Sequence, residues 1–371
     1  MKKAKIYVLA VLAGLVTLTS CSSDNGDDNT GSDFDRKAML TNYADNLIVP
    51  GYQRFTVVTN EMKAAVDAFV AAPTAATLNT ARQKYQQAYL TWQELSPYEF
   101  GPADEQMLRS NLNVFPTSAT QIESNITAGT YDLQASANLV AKGFPALDYL
   151  LYGQATEADV VAQYTTATNV ANRKKYLQDI TNLVVQHAQN TYNAWTTQNY
   201  STTFKQSEGT AVGSAIGNLV NQLNSDIDIT KRYKLGIPAG KFTAGTARPT
   251  EAEAYYSGTS LELLLQNLRA EKAIFLGMSA DGTNGIGLDD YLNHVNAKKD
   301  NMLLSDAIEQ QFNLAIAAAE AVNAPIKDAV TTNQAAVNKV YDELQKLIVL
   351  TKTDMPSKLG VTISYTDNDG D

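Results

Sequence analysis

Side chains suited to covalent or proton-transfer chemistry are scarce in this chain. It holds one cysteine, Cys21, and two histidines, His187 and His294. A thiol can be acylated, and an imidazole can move protons or hold a metal. A lone cysteine excludes an intrachain disulfide and a structural cysteine-zinc site. His187 falls in a Gln-rich helical stretch and His294 in a helix after a glycine-rich loop. An isolated histidine reads first as a core or surface residue, and neither is expected to be catalytic. No His-Glu-x-x-His zinc motif, Gly-x-Ser-x-Gly elbow or Walker loop occurs. The terminal Asp367-Asn-Asp-Gly-Asp371 has acidic spacing that hints at calcium. Its glycine is not at the EF-hand position, so a solvated tail is expected.

The cysteine has the clearest context. Lys2, Lys3 and Lys5 precede an apolar run from Ile6 to Leu18, and Thr19 and Ser20 lead directly into Cys21. A basic start, a short apolar core and small residues before a cut mark a secretory signal over residues 1–20. The core falls short of the ~20 apolar residues of a membrane span. A cysteine directly after small residues resembles the bacterial lipobox, which implies cleavage before Cys21 and lipidation of its thiol. Residues 21–35 then read as a lipidated cysteine followed by a flexible, acidic tether, because residues 22–33 lack a large apolar residue. The acidic run after Cys21 resembles the signal that sends some Gram-negative lipoproteins to the outer face of the outer membrane. A plain spacer facing the periplasm is the alternative.

Composition narrows the partners. The formal net charge is −10, and cleavage before Cys21 would remove three lysines and no acid. So acidic a chain has no general attraction for nucleic acid or anionic lipid. The partners expected are the membrane, through the lipid, and a small ligand or envelope protein. Tyrosines outnumber phenylalanines, 19 to 10. Aromatics with a polar tip suit half-buried sites and pocket walls.

The elements that must position any site are helices. Apolar residues recur every three or four positions at Val58, Met62, Ala65, Val66 and Phe69, and at Leu261, Leu264, Leu265, Leu268 and Phe275. They do so again at Leu304, Ile308, Phe312, Ile316 and Ala319, and at Val337, Val340, Leu344 and Leu347. Only Val361–Tyr365 reads as extended. The fold class is therefore all-α, a helical bundle in two parts. Pro50, Pro73 and the Ser96–Pro102 stretch punctuate the helices, and loops are expected from Leu235 to Pro249 and from Asp281 to Gly287. A helix–Pro–helix pattern occurs twice, around Pro73 with Tyr85 and around Pro325 with Tyr341. The echo suggests an internal duplication of residues 36–371 into halves near 36–205 and 206–371. Gly209, Gly213 and Gly217, four apart, are expected to form a close-packing stripe on one helix.

Four stretches resemble the imelysin family, also classed as M75 peptidases. They are Trp92-Gln-Glu-Leu-Ser-Pro-Tyr-Glu-Phe-Gly-Pro102, Lys142-Gly-Phe-Pro-Ala-Leu-Asp-Tyr-Leu-Leu-Tyr-Gly153, Glu251-Ala-Glu-Ala-Tyr-Tyr-Ser-Gly258 with its following helix, and the tail from Leu359. The second is similar to the family's Gly-x-His-x-x-Glu signature, with Pro145 in place of His and Asp148 in place of Glu. A His and a Glu three apart share a helix face and can hold a metal together. Proline has no side-chain donor or acceptor, so that pair cannot form. Pro145 is tolerable in the first turn of a helix.

The resemblance implies a link to iron or haem acquisition at the cell envelope, with iron, haem or another divalent metal as the ligand. The departure at Pro145 points away from metallopeptidase activity and toward binding. The residues singled out as a pocket are Trp92, Tyr98, Glu99, Gly101, Pro102, Phe144, Pro145, Asp148, Tyr149, Glu253 and Ser257. Glu99, Asp148 and Glu253 are the candidates for a displaced metal set. An altered metallopeptidase and a structural or adhesive surface protein are the alternatives.

Overall fold

The apolar stripe of the 23-residue helix from Val49 can bury itself only against other helices, and it does so on two sides. A computed structural model describes residues 33–365 of the chain. Eight helices carry the architecture: α1 (Val49–Ala71), α2 (Ala75–Leu95), α3 (Gly143–Tyr152), α4 (Val170–Trp195), α5 (Ala215–Ile229), α6 (Ser260–Phe275), α7 (Leu304–Glu320) and α8 (Gln334–Ile348). Helix α1 packs on α2 and α4, and α3 fills the space beside α2 and α4. Helix α7 packs on α8 and α6, and α5 lies against α6 and α8. The seam between these groups is α2 against α6. Residues from Asp35 onward form one compact unit. The fold is all-α; the one sheet among the described residues is a two-stranded hairpin, β1 (Lys298–Lys299) with β2 (Met302–Leu303).

The two Pro hairpins are both present. Pro73 separates α1 from α2, where Thr74 caps the new helix by accepting a hydrogen bond from Thr77 N–H at 3.2 Å. Pro325 precedes a short helix, Ile326–Thr332, and a break at Asn333 before α8 begins. That extra helix explains why Tyr341 lies further from its proline than Tyr85 does.

Several expectations change. Pro50 ends no helix; it occupies the second position of α1, directly after a π-helical turn, Tyr43–Ile48. Residues 36–71 are helical without a break, so Pro50 lies inside a longer helix, at the point where the π turn already departs from the regular hydrogen-bond pattern that its missing N–H would interrupt. The glycine stripe does not form. Gly209 and Gly213 lie in the loop before α5, and only Gly217 is helical, where Ser214 caps its N–H at 3.1 Å. Val361–Tyr365 has no strand partner and is irregular. In α6 the buried face is rotated from the one expected. Leu261 and Leu265 are half-buried, while Leu264, Asn267, Leu268, Glu271 and Phe275 face inward. Counting apolar residues alone misplaces the stripe, because two polar residues sit in its centre. The signal sequence, Cys21, most of the tether and the Asp367–Asp371 tail lie outside the described residues. Among the described residues no helix is long and apolar enough to cross a membrane.

Candidate functional site

Helix α3 presents the motif. Its first residue, Gly143, has φ +71°, and a Cβ there would lie 2.3 Å from the Leu112 carbonyl oxygen. Glycine is therefore required by both conformation and space. Pro145 follows in the first turn, as expected. One turn on, Asp148 is buried, at 1% exposure. Its Oδ2 accepts from Tyr256 N–H at 2.7 Å, and its Oδ1 accepts from Ser257 N–H at 3.2 Å and from the Tyr85 hydroxyl at 3.3 Å. Asp148 thus clamps the 252–258 loop onto α3. Pro145 and Asp148 line a cavity of about 240 Å³ with Phe115, Thr117, Glu251, Tyr255 and Tyr256. Small-molecule pockets commonly span roughly 300–1,000 Å³, so this cavity by itself takes only a small group.

Burial pushes Asp148 up to about 6, despite its hydrogen bonds from Ser257, Tyr256 and Tyr85. The folded protein therefore holds this proton more tightly than the unfolded chain does. The resulting stabilisation is complete below the ordinary value of 3.8 and is lost as pH rises through about 6. A rise of that size corresponds to about 3 kcal/mol. In Asp148→Asn the decline in unfolding free energy between pH 4 and pH 7 should shrink by about that amount. Urea denaturation across this range measures it, and an unchanged slope would refute the assignment.

Glu253 turns away from the motif cavity. Its Oε1 lies 3.1 Å from the Tyr89 hydroxyl, and it accepts from Gln93 Nε2 at 3.1 Å and from Asn113 Nδ2 at 2.8 Å. Its Oε2 receives no hydrogen bond and faces Lys234 Nζ at 3.3 Å. Lys234 also donates to Gln93 Oε1. Lys234 comes from a π-helical turn, Thr230–Gly236, that continues α5. Such turns are frequent at functional sites.

A second buried network adjoins the α2–α6 seam. Asp226 of α5 is 1% exposed and accepts from Arg109 Nη2 at 2.5 Å, Asn267 Nδ2 at 2.6 Å and Ser96 Oγ at 3.2 Å. Glu271 of α6 is fully buried. Desolvation and the neighbouring Asp226 hold its carboxyl well above the usual range. Glu99 accepts from Arg109 N–H at 2.9 Å, and burial raises it to about 7 against the pull of Arg109.

The other expected residues divide between core and separate surroundings. Trp92 and Phe144 are core: Trp92 packs against Phe55 at 6.2 Å, and Phe144 stacks on Tyr89 at 4.6 Å. Tyr98 borders a different groove, with Leu47, Ile274 and Met278. Tyr149 donates to Glu123 Oε1 at 2.6 Å and meets the Tyr256 ring edge-on at 5.1 Å. The Ser257 hydroxyl pairs with Thr259 at 3.0 Å. Gly101 lies under Tyr200, leaving no room for a Cβ, and Pro102 opens a short helix, Pro102–Glu105. His187 is part-buried and pushed down to about 4, first by desolvation and then by Lys142.

A resident metal does not fit these residues. Glu99, Asp148 and Glu253 are each committed to a different network. Among the described residues no three His, Cys, Asp or Glu side chains come together as a ligand set. The metal set expected from Glu99, Asp148 and Glu253 is therefore not assembled. Their positions along the chain say nothing about which way each carboxylate turns.

Arg109, Asn113, Asp226, Lys234, Asn267 and Glu271 were not anticipated. A signal existed for two of them. Asn267 and Glu271 occupy the register Leu264–Asn267/Leu268–Glu271–Phe275, where a polar residue must be buried if the stripe is.

The model of imelysin, peptidase M75, matches residues 48–352. The chain belongs to the imelysin family. Iron-regulated protein A of Synechococcus elongatus is 23% identical over 338 residues, which cover 84% of this chain and 87% of that protein. Two solved structures share the fold. One is a provisionally named iron-regulated protein A precursor from Parabacteroides distasonis, with a TM-score of 0.72 at 18% identity, covering 87% of this chain and 94% of that one. The other is an imelysin-like protein from Psychrobacter arcticus, with a TM-score of 0.67 at 17% identity, covering 89% and 97%. The imelysin match spans both helix groups and the loop clamped by Asp148.

Proposed function

We propose that this imelysin-family chain is a lipid-anchored protein of the Gram-negative outer membrane that binds a ligand in iron or haem acquisition and does not hydrolyse peptides. One observation carries the binding reading. Pro145 stands where the family signature has its histidine, and Asp148 is already engaged by Tyr256, Ser257 and Tyr85. A carboxylate saturated by backbone amides serves as a clamp and has little left for a metal. The iron connection is supported by the name of the Synechococcus relative, and the anchor by Lys2 to Cys21 and the acidic segment that follows.

Metal and haem content of the natively purified protein, by elemental analysis and absorbance, tests the ligand role. Stripped protein is then titrated with ferrous iron and with haem. Stoichiometric uptake is the expected result, and it should survive Asp148→Ala and Glu99→Ala, because neither carboxylate belongs to an assembled ligand set. No uptake at micromolar concentration overturns it. Metal-dependent cleavage of denatured protein, abolished by Asp148→Ala, would instead establish a peptidase. The anchor has its own test. Cys21→Ala should move the protein from the outer-membrane fraction to the soluble periplasmic one, and an unlipidated wild-type N-terminus would refute anchoring.

A further inference from the structure

A larger cavity lies on the other side of the segment that carries Phe115. It measures about 500 Å³, inside the size range of ordinary ligand pockets, and Phe115 belongs to both walls. Its other walls come from the Leu108–Leu112 helix, from α5 and from the π turn that follows. Two of its polar side chains have hydrogen-bonding capacity that the described residues leave unused.

The first is Arg109. Its Nη2 donates to the Ser96 carbonyl and to Asp226, each at 2.5 Å. Its Nε and Nη1 protons meet no acceptor among the described residues. A guanidinium carries five N–H donors in a planar fork suited to a carboxylate. The pairing with Asp226 fixes the plane of that fork, so the remaining donors are pre-oriented.

The second is Asp228, which is 7% exposed. Its Oδ1 is fully enclosed and out of a ligand's reach, whereas its Oδ2 accepts no hydrogen bond among the described residues and is the oxygen left for the cavity. Its ion-pair partner is Lys231, at 3.3 Å and one turn along α5 and its π extension. A carboxylate this buried is normally satisfied by several donors. Val114, Phe115, Ile229 and Tyr233 give the wall an apolar and aromatic part, and Arg232, its guanidinium over the Tyr233 and Phe242 rings, lines it too, with Tyr365.

The cavity wall thus carries both signs: Asp228, and Arg109 with Arg232. A ligand that carries both signs around an apolar body matches both. We propose that this cavity binds a zwitterionic amino acid or short peptide with an aromatic or bulky apolar side chain. Arg109 takes its carboxylate, Asp228 its ammonium group, and Phe115 and Tyr233 flank the side chain. A comparable hollow beside Asn42 shows the contrast. There Asp45 is paired with Lys205 at 2.9 Å, and Asp281 accepts from Ser279 Oγ at 2.7 Å and Thr283 N–H at 3.0 Å.

The test is calorimetric titration of the full-length protein in detergent with phenylalanine, glycyl-phenylalanine and a Phe-containing tripeptide. Phenylpropionate, which lacks the ammonium group, and phenethylamine, which lacks the carboxylate, are the controls. At least one zwitterion should bind in the micromolar to low-millimolar range, and each control at least tenfold more weakly. The chain length that binds best separates a free amino acid from a peptide end. Asp228→Asn keeps the side-chain shape; it should weaken the zwitterion at least tenfold and leave phenylpropionate unchanged or tighter. No zwitterion binding, equal binding of phenylpropionate, or an unaffected Asp228→Asn variant would each overturn the proposal. None of these outcomes depends on iron, haem or the motif cavity, so this site and the proposed function fail separately.

Discussion

Replacing Arg109 with alanine should destabilise the protein by about 3–5 kcal/mol at neutral pH, the cost of removing one partner of a buried ion pair. Asp226 has no exposed side-chain surface, and Arg109 is its cation at 2.5 Å. Without Arg109, the carboxylate keeps the Ser96 hydroxyl, the Asn267 amide and its hydrogen bond with Glu271, none of them a cation. Glu99 would also lose the guanidinium that restrains its rise, so it too would shift further toward the neutral form. Urea denaturation of the wild type, Arg109→Ala, Asp226→Asn and the double variant gives a coupling energy. The double variant should recover part of the loss, because no charge is left stranded. A loss below about 1 kcal/mol for Arg109→Ala would mean that water or a neighbour satisfies Asp226, contrary to the magnitude expected for a buried pair.

Gly143→Ala should be comparably severe, at about 3 kcal/mol or more, since backbone strain and overpacking act together. Its positive φ of +71° strains any L-residue, and the added methyl would meet the Leu112 carbonyl oxygen at 2.3 Å and the Asn111 carbonyl oxygen at 2.8 Å. Both obstacles are backbone, so neither can swing aside as a side chain would. Gly213 provides the control. It has φ +83°, but nothing lies within 4 Å of its added Cβ. Gly213→Ala should therefore show the conformational penalty alone, about 1 kcal/mol. Equal losses in the two variants would show that packing against the Leu108–Leu112 helix contributes nothing. The effect should also reach the site, because α3 starts at Gly143 and carries Pro145 and Asp148. Loosening that start would weaken the clamp on Tyr256 and Ser257.

The helical stripes were legible because they depend on neighbours three and four residues apart. Val58 through Phe69 and Val337 through Leu347 lie where their spacing puts them. The Pro73 and Pro325 breaks are likewise local, set by a missing N–H and a fixed φ. The tolerance of Pro145 followed from its place in a first turn. The glycine stripe failed for an equally local reason. Spacing of four implies a shared face only if the segment is helical, and Ser207 to Ser214 is a loop capped onto α5.

The candidate site was legible only in part. Asp148, Pro145 and the 251–258 segment do come together, as the motif-bearing stretches suggested. Glu99 and Glu253 do not join them. Glu253 is drawn to Lys234, Gln93, Tyr89 and Asn113, and Glu99 to the backbone of Arg109. Those partners lie on other elements, far from the motif in sequence.

By itself, then, the chain's sequence determined an all-α fold, the positions of its main helices and breaks, and its membership of the imelysin family. Tertiary structure alone decided which carboxylate faces a cavity, which is sealed in a network, and which cations accompany them. The reason is range. Helix periodicity is written in steps of three and four residues, whereas Arg109 meets Asp226 across 117 positions and Asp148 meets Tyr256 across 108. Which buried charges meet at such separations is set by how the helices pack.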